Sequence, residues 1–103
     1  MPKATIDIPK MRQAATQAVA FLRLLANEDR LLLLCQLTRG ERCVGELEQL
    51  LGIRQPTLSQ QLGVLRTDGL VSTRREGKNI YYRLADAKVQ STLAQLYELF
   101  CAR

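Results

Sequence analysis

The chain has 103 residues, 47% of them hydrophobic and 24% charged. That is room for one domain with an ordinary globular balance, and it excludes whole-chain disorder. Fifteen Lys and Arg against ten Asp and Glu leave a formal charge of +5, which favours polyanionic partners such as nucleic acid without identifying one.

The first nine residues hold Pro2 and Pro9 and no helical period, so residues 1–9 are expected to form a flexible leader ahead of a single domain over 10–103. From Lys10 the spacing of Met11, Ala14, Ala15, Ala18, Phe21, Leu22 and Leu25 predicts a helix, thin on its alanine side. Asn27 is a good N-cap for a second helix, with Glu28 and Asp29 in its first turn. That helix continues as an apolar run through Leu37, the pattern of a core element. A connector over 41–44, with room for one extended pair, leads to a short third helix from Gly45 that Gly52 closes. A fourth helix with Pro56 in its first turn runs to Asp68, followed by two strands over 70–75 and 79–84. A last helix spans about Asp86 to Cys101.

Short helix, tight turn, second helix and basic hairpin is the order of a winged helix-turn-helix. The expected class is mainly α with a small β-hairpin, five helices in the order α-α-α-α-β-β-α. Leu58, Leu62 and Leu65 fall on one face of the fourth helix, which leaves Pro56, Gln60 and Gly63 on the other, flanked by Thr57 and Ser59. No charged residue occurs between Gln55 and Leu65. A merely solvated face would carry Glu, Lys and Arg, whereas amides, hydroxyls and a glycine suit a major groove. The expected DNA contacts are Gln55, Pro56, Thr57, Ser59, Gln60 and Gly63, with Arg66 at the far end of the helix. Arg74, Arg75, Lys78 and Asn79 of the hairpin are expected to add phosphate or minor-groove contacts.

From about Ala18 to Cys101 the chain resembles the ArsR/SmtB family of bacterial winged-helix repressors, and within it the BigR/SqrR group that responds to reactive sulfur. The resemblance is carried by Val44-Gly45-Glu46-Leu47-Glu48-Gln49, by the run from Gln55 to Arg66 and by Leu99-Phe100-Cys101-Ala102. It implies a homodimer built on the first and last helices and an inverted-repeat operator in double-stranded DNA. It also implies a redox-sensing cysteine pair, matching Cys35 and Cys101, that closes into a disulfide or longer sulfur bridge and releases DNA. Reactive sulfur species would then be the inducer.

Read without the resemblance, Cys35 and Cys101 are ordinary core fillers, since free cysteine is among the most buried residue types. Cys43 reads as incidental. Its neighbourhood is similar to the metal-binding box of metal-sensing relatives, but Gly45 stands where their second cysteine would be. With no His in the chain, no metal site and no cofactor are expected, and a thiophilic-metal sensor is the alternative reading. No enzyme is expected, because no base stands beside a nucleophile; a thiol peroxidase is the remaining catalytic alternative. The sequence has no 18-residue apolar run and no signal-peptide pattern near Met1, so a cytoplasmic protein without membrane association is expected.

Overall fold

The computed structural model describes residues 7–102. Helix α1 (Ile8–Leu25) begins two residues earlier than its apolar spacing suggests. Asp7 caps it, its Oδ1 accepting the Lys10 N–H at 3.1 Å. Pro9 is no obstacle there, because first-turn N–H groups have no intrahelical acceptor. Residues 8 and 9 of the expected leader are therefore helical, and residues 1–6 lie outside the described residues.

Helix α2 (Glu28–Leu37) starts at the expected cap, Asn27, whose Oδ1 accepts the Arg30 N–H at 3.0 Å. The connector holds strand β1 (Arg42–Cys43), and helix α3 (Val44–Leu51) follows at once. Gly52 then turns the chain with φ of 71°, and its N–H closes the helix on the Glu48 carbonyl. Helix α4 (Thr57–Thr67), strands β2 (Val71–Glu76) and β3 (Asn79–Leu84), and helix α5 (Ala87–Phe100) complete the order. The strands form one antiparallel sheet in the order β1-β3-β2. Arg42 and Cys43 pair with Tyr82 and Tyr81, so the short connector becomes the third strand of the wing.

The core lies around α2, which packs against α1, α3, α4, α5 and β3. Leu33, Leu34, Leu47, Leu58, Leu62, Leu65 and Val89 are fully buried, each worth about 1.5–3 kcal/mol of transfer free energy. Helix α1 contrasts with this. Of its 18 residues only Leu25 is buried. The radius of gyration is 16.0 Å, against about 13 Å for a compact chain of this length. An apolar face stays uncovered along α1 (Ile8, Met11, Val19, Leu22) and at the end of α5 (Tyr97, Leu99, Phe100), with Phe100 78% exposed. Among the described residues no helix is long and apolar enough to cross a membrane.

Candidate nucleic-acid interface and thiol pair

The turn between α3 and α4 presents one side of α4 to solvent. Leu58, Leu62 and Leu65 anchor the inner side, as their spacing requires. Pro56, Ser59, Gln60, Gly63 and Arg66 are exposed on the outer side, and Thr57 is half-buried at its edge. The Gln55 Oε1 accepts the Ser59 N–H at 3.1 Å. It thereby caps the helix start, where Pro56 stands at the N-cap with no side-chain bond of its own. Gln55 thus supports the outer face as well as lying on it. A Cβ built on Gly63 would meet nothing within 4 Å. The fold itself therefore does not need glycine there, although glycine inside a helix costs about 1 kcal/mol relative to alanine.

Gln61, next to Gln60, points the other way. Its Oε1 accepts the Arg30 Nη1 at 2.8 Å. The same guanidinium donates to the Leu24 carbonyl from Nε at 2.7 Å and to the Arg23 carbonyl from Nη2 at 3.0 Å. Nothing in the sequence pattern singled out either residue, because 31 positions separate them.

On the wing, β2 and β3 pair from Val71↔Leu84 to Glu76↔Asn79, leaving Gly77 and Lys78 as a two-residue loop. Gly77 has φ of 65°, the positive value a primed hairpin turn needs at its first central position. Arg75, Lys78 and Asn79 are exposed there, and neither cation has an ion-pair partner among the described residues. Arg74 is engaged differently. It meets Glu41 through Nε and Nη2 at 2.9–3.0 Å and Glu76 through Nη1 at 2.7 Å. Its guanidinium also lies 4.7 Å from the centre of the Tyr81 ring. The hydrogen bond from Arg74 holds the Glu41 carboxyl below the usual carboxylate range, and the two carboxylates push the Arg74 pKa up. Arg74 therefore ties the wing to the start of β1, while Arg75 and Lys78 remain the uncommitted cations of the tip.

Cys35 and Cys101 are both exposed free thiols, which sets aside the core-filling reading of each. Cys35 points away from Leu33 and Leu37, from which it is rotated by about 200° around α2. Cys101 is the C-cap of α5, its N–H donating to the Tyr97 carbonyl at 2.8 Å. The two thiols line one surface cavity of about 590 Å³, together with Leu32, Leu93, Ala94 and Tyr97. Partial burial raises the Cys35 pKa, and negative charge at Cys101 raises it further. Arg39 lines the same cavity; Arg103 lies outside the described residues. At Cys43, where β1 passes into α3, the backbone N–H donates to Glu46 Oε1 at 2.9 Å, a bond that does not involve the thiol. Among the described residues no group of three or more His, Cys, Asp and Glu is placed to hold a metal ion.

Residues 27–73 match the family model described as bacterial regulatory protein, arsR family. The chain is 55% identical over 97 residues to the biofilm growth-associated repressor of Agrobacterium fabrum, spanning 94% of this chain and 83% of that protein. Its fold matches the crystal structure of the transcriptional repressor BigR from Xylella fastidiosa with a TM-score of 0.87 and 49% identity, over 95% of this chain and all of that one. Reduced HlyU from Vibrio cholerae matches with a TM-score of 0.86 and 41% identity, over 90% and 98% of the two chains. A homodimeric winged helix-turn-helix DNA-binding domain from Mycobacterium bovis matches at 0.73 and 31%, over 96% and 89%. With this sequence, this fold and these relatives, the chain belongs to the ArsR family of bacterial regulatory proteins and is BigR-like within it.

Proposed function

We propose that the chain is a homodimeric repressor that binds an inverted-repeat operator and releases it when Cys35 and Cys101 are joined by reactive sulfur or another two-electron oxidant. The outer face of α4 supplies base contacts through Gln60, Ser59 and Thr57, with Gly63 allowing close approach to the groove. Gln55, Pro56 and Arg66 flank that face, and Arg75, Lys78 and Asn79 reach the backbone beyond it. Arg74 holds the wing in place for them. A second copy covers the apolar face of α1 and α5, which sets two α4 helices about one DNA turn apart.

The observation that carries the switch is the shared cavity of two exposed thiols from distant parts of the chain. With a polysulfide, one thiolate attacks a sulfane sulfur, the polysulfide S–S bond breaks, and a shorter polysulfide leaves. The second thiolate then attacks the protein-bound sulfur of that persulfide and expels hydrosulfide. Two thiols lose two electrons and their protons, and one sulfane sulfur is reduced to sulfide. The raised Cys35 pKa leaves less standing thiolate and so slows attack on either oxidant, with no preference between them.

The test treats reduced protein with inorganic polysulfide and, separately, with hydrogen peroxide, then reads intact and peptide masses beside a DNA titration. A Cys35–Cys101 link with DNA release is expected, and Cys101→Ser is expected to bind DNA without releasing it. Release by polysulfide in that variant refutes the dithiol switch.

A further inference from the structure

We infer that Arg30 is a positioning residue for operator recognition, clamping the uncovered helix α1 to the reading helix α4 so that the two move as one body. The inference rests on the proposed reading of α4 as the DNA-contacting helix and of α1 as part of the dimer surface.

The Arg30 side chain, rooted on α2, reaches two other helices. The residue's backbone N–H donates to the Asn27 cap, and its Nε and Nη2 donate to the carbonyls of Leu24 and Arg23 at the end of α1. Those carbonyls belong to the last turn of a helix, which carries partial negative charge and is short of internal donors, the Arg23 carbonyl taking one long backbone bond from the Ala26 N–H at 3.3 Å, so a cation is the natural stopper. The third arm, Nη1, meets Gln61 Oε1 at 2.8 Å. Arginine has no acceptor, so the Gln61 amide must turn its oxygen inward. Gln61 is half-buried there, whereas Gln60 beside it is exposed. A basic residue close to a reading helix invites assignment as a phosphate contact, but this one uses three of its five guanidinium N–H groups within the protein.

The clamp matters because α1 has so few other holds on the body. Leu25 is its only buried residue, and the contacts that fix its direction lie at its C-terminal end. Eighteen residues make a lever of about 27 Å. Slack at that joint changes the separation and tilt of the two α4 helices in a dimer. Binding to two half-sites gains from a fixed separation, because the second contact then occurs at high effective concentration. A loosened joint loses part of that gain and tolerates wrong spacings, while contact with one half-site is untouched.

The experiment selects an inverted-repeat duplex from random DNA with the wild-type protein. Affinities are then measured for that duplex, for versions with the half-sites moved by one base pair in each direction, and for a single half-site. Arg30→Ala is expected to weaken the two-site duplex about tenfold and to flatten the spacing preference, with single-site affinity kept within about twofold. Gln61→Ala should act alike, and the double variant should add nothing beyond either. Gln61→Glu keeps an acceptor for Nη1 and should keep the spacing preference. If Arg30→Ala does not fold, by circular dichroism, the two Gln61 variants decide. Equal losses on two-site and single-site DNA, or an unchanged spacing preference in Gln61→Ala, overturn the inference while leaving DNA binding in place. If the wild-type protein selects no duplex at all, the DNA-reading assignment fails and the clamp's role fails with it.

Discussion

A bond between Cys35 and Cys101 would tie together positions 66 residues apart in sequence. On the chain-entropy account, closing a loop of that length removes about 15 cal/mol/K from the unfolded ensemble, or about 4 kcal/mol at 25 °C. Native strain subtracts from this ceiling. Cys101 is a C-cap held by one bond, from its N–H to the Tyr97 carbonyl, so drawing its sulfur toward Cys35 unwinds a helix end and leaves the core alone. Losing that bond costs about 1 kcal/mol. The bridged protein is therefore expected to be about 3 kcal/mol more stable than the reduced form. Urea unfolding followed by circular dichroism measures this, at one protomer concentration because a dimer's stability depends on it. Cys101→Ser under the same oxidant gives the baseline. A bridge confirmed by mass but with no gain in stability would refute the argument, since it would place the strain in the core.

Three further outcomes follow from individual side chains. Leu33 is fully buried on the central helix, so Leu33→Ala should cost about 3–5 kcal/mol in the same urea assay; a loss under about 1 kcal/mol would mean that α2 is not central to the packing. The Cys35 pKa is raised, first by burial and then by Cys101, above an ordinary value of 9.0, so its alkylation rate should still be climbing past pH 9 and should shift to lower pH in Cys101→Ser. The folded protein holds that proton more tightly than the unfolded chain, so the associated stability is present below the unfolded pKa and is lost as pH rises through the folded value. Lys78 is exposed at the wing tip, and Lys78→Ala should reduce the log–log salt slope of DNA binding by about 1 for each copy, or about 2 per dimer; an unchanged slope would remove the wing tip from the interface.

Helix α4 and the core were legible because they rest on local spacing. Leu58, Leu62 and Leu65 recur at three and four residues, and the absence of charge from Gln55 to Leu65 marks the opposite face. What escaped was non-local or short. Two residues are too few to show a strand period, so the 41–44 connector showed room for an extended pair but not its pairing with Tyr81 and Tyr82 as a third strand. Arg74 reads as one more wing cation until Glu41, 33 residues earlier, is found against it. Cys35 lies within a leucine run that suggests burial on every side. The helix buries Leu33, Leu34 and Leu37 and leaves the thiol on the remaining side, exposed in the cavity it shares with Cys101.

Arg30 and Cys35 are five residues apart on the same helix, about 7.5 Å along its axis. One end of α2 thus holds α1 to α4, and the other faces the thiol at the end of α5. A bridge can weaken DNA binding by two routes. It can displace α2, whose movement reaches α4 through Arg30 and Gln61, or it can displace the end of α5, whose exposed Tyr97, Leu99 and Phe100 belong to the uncovered apolar face. The routes differ in how they combine with loss of the clamp. If the signal passes through α2, oxidation should cost Arg30→Ala clearly less two-site affinity than it costs wild type, because the coupling has already been cut. If it passes through the end of α5, the two losses should add within about 0.5 kcal/mol. Because the C-cap of α5 yields before the core helix does, the second outcome is expected, with the two losses additive. A clearly smaller loss in Arg30→Ala would assign the switch to α2 instead.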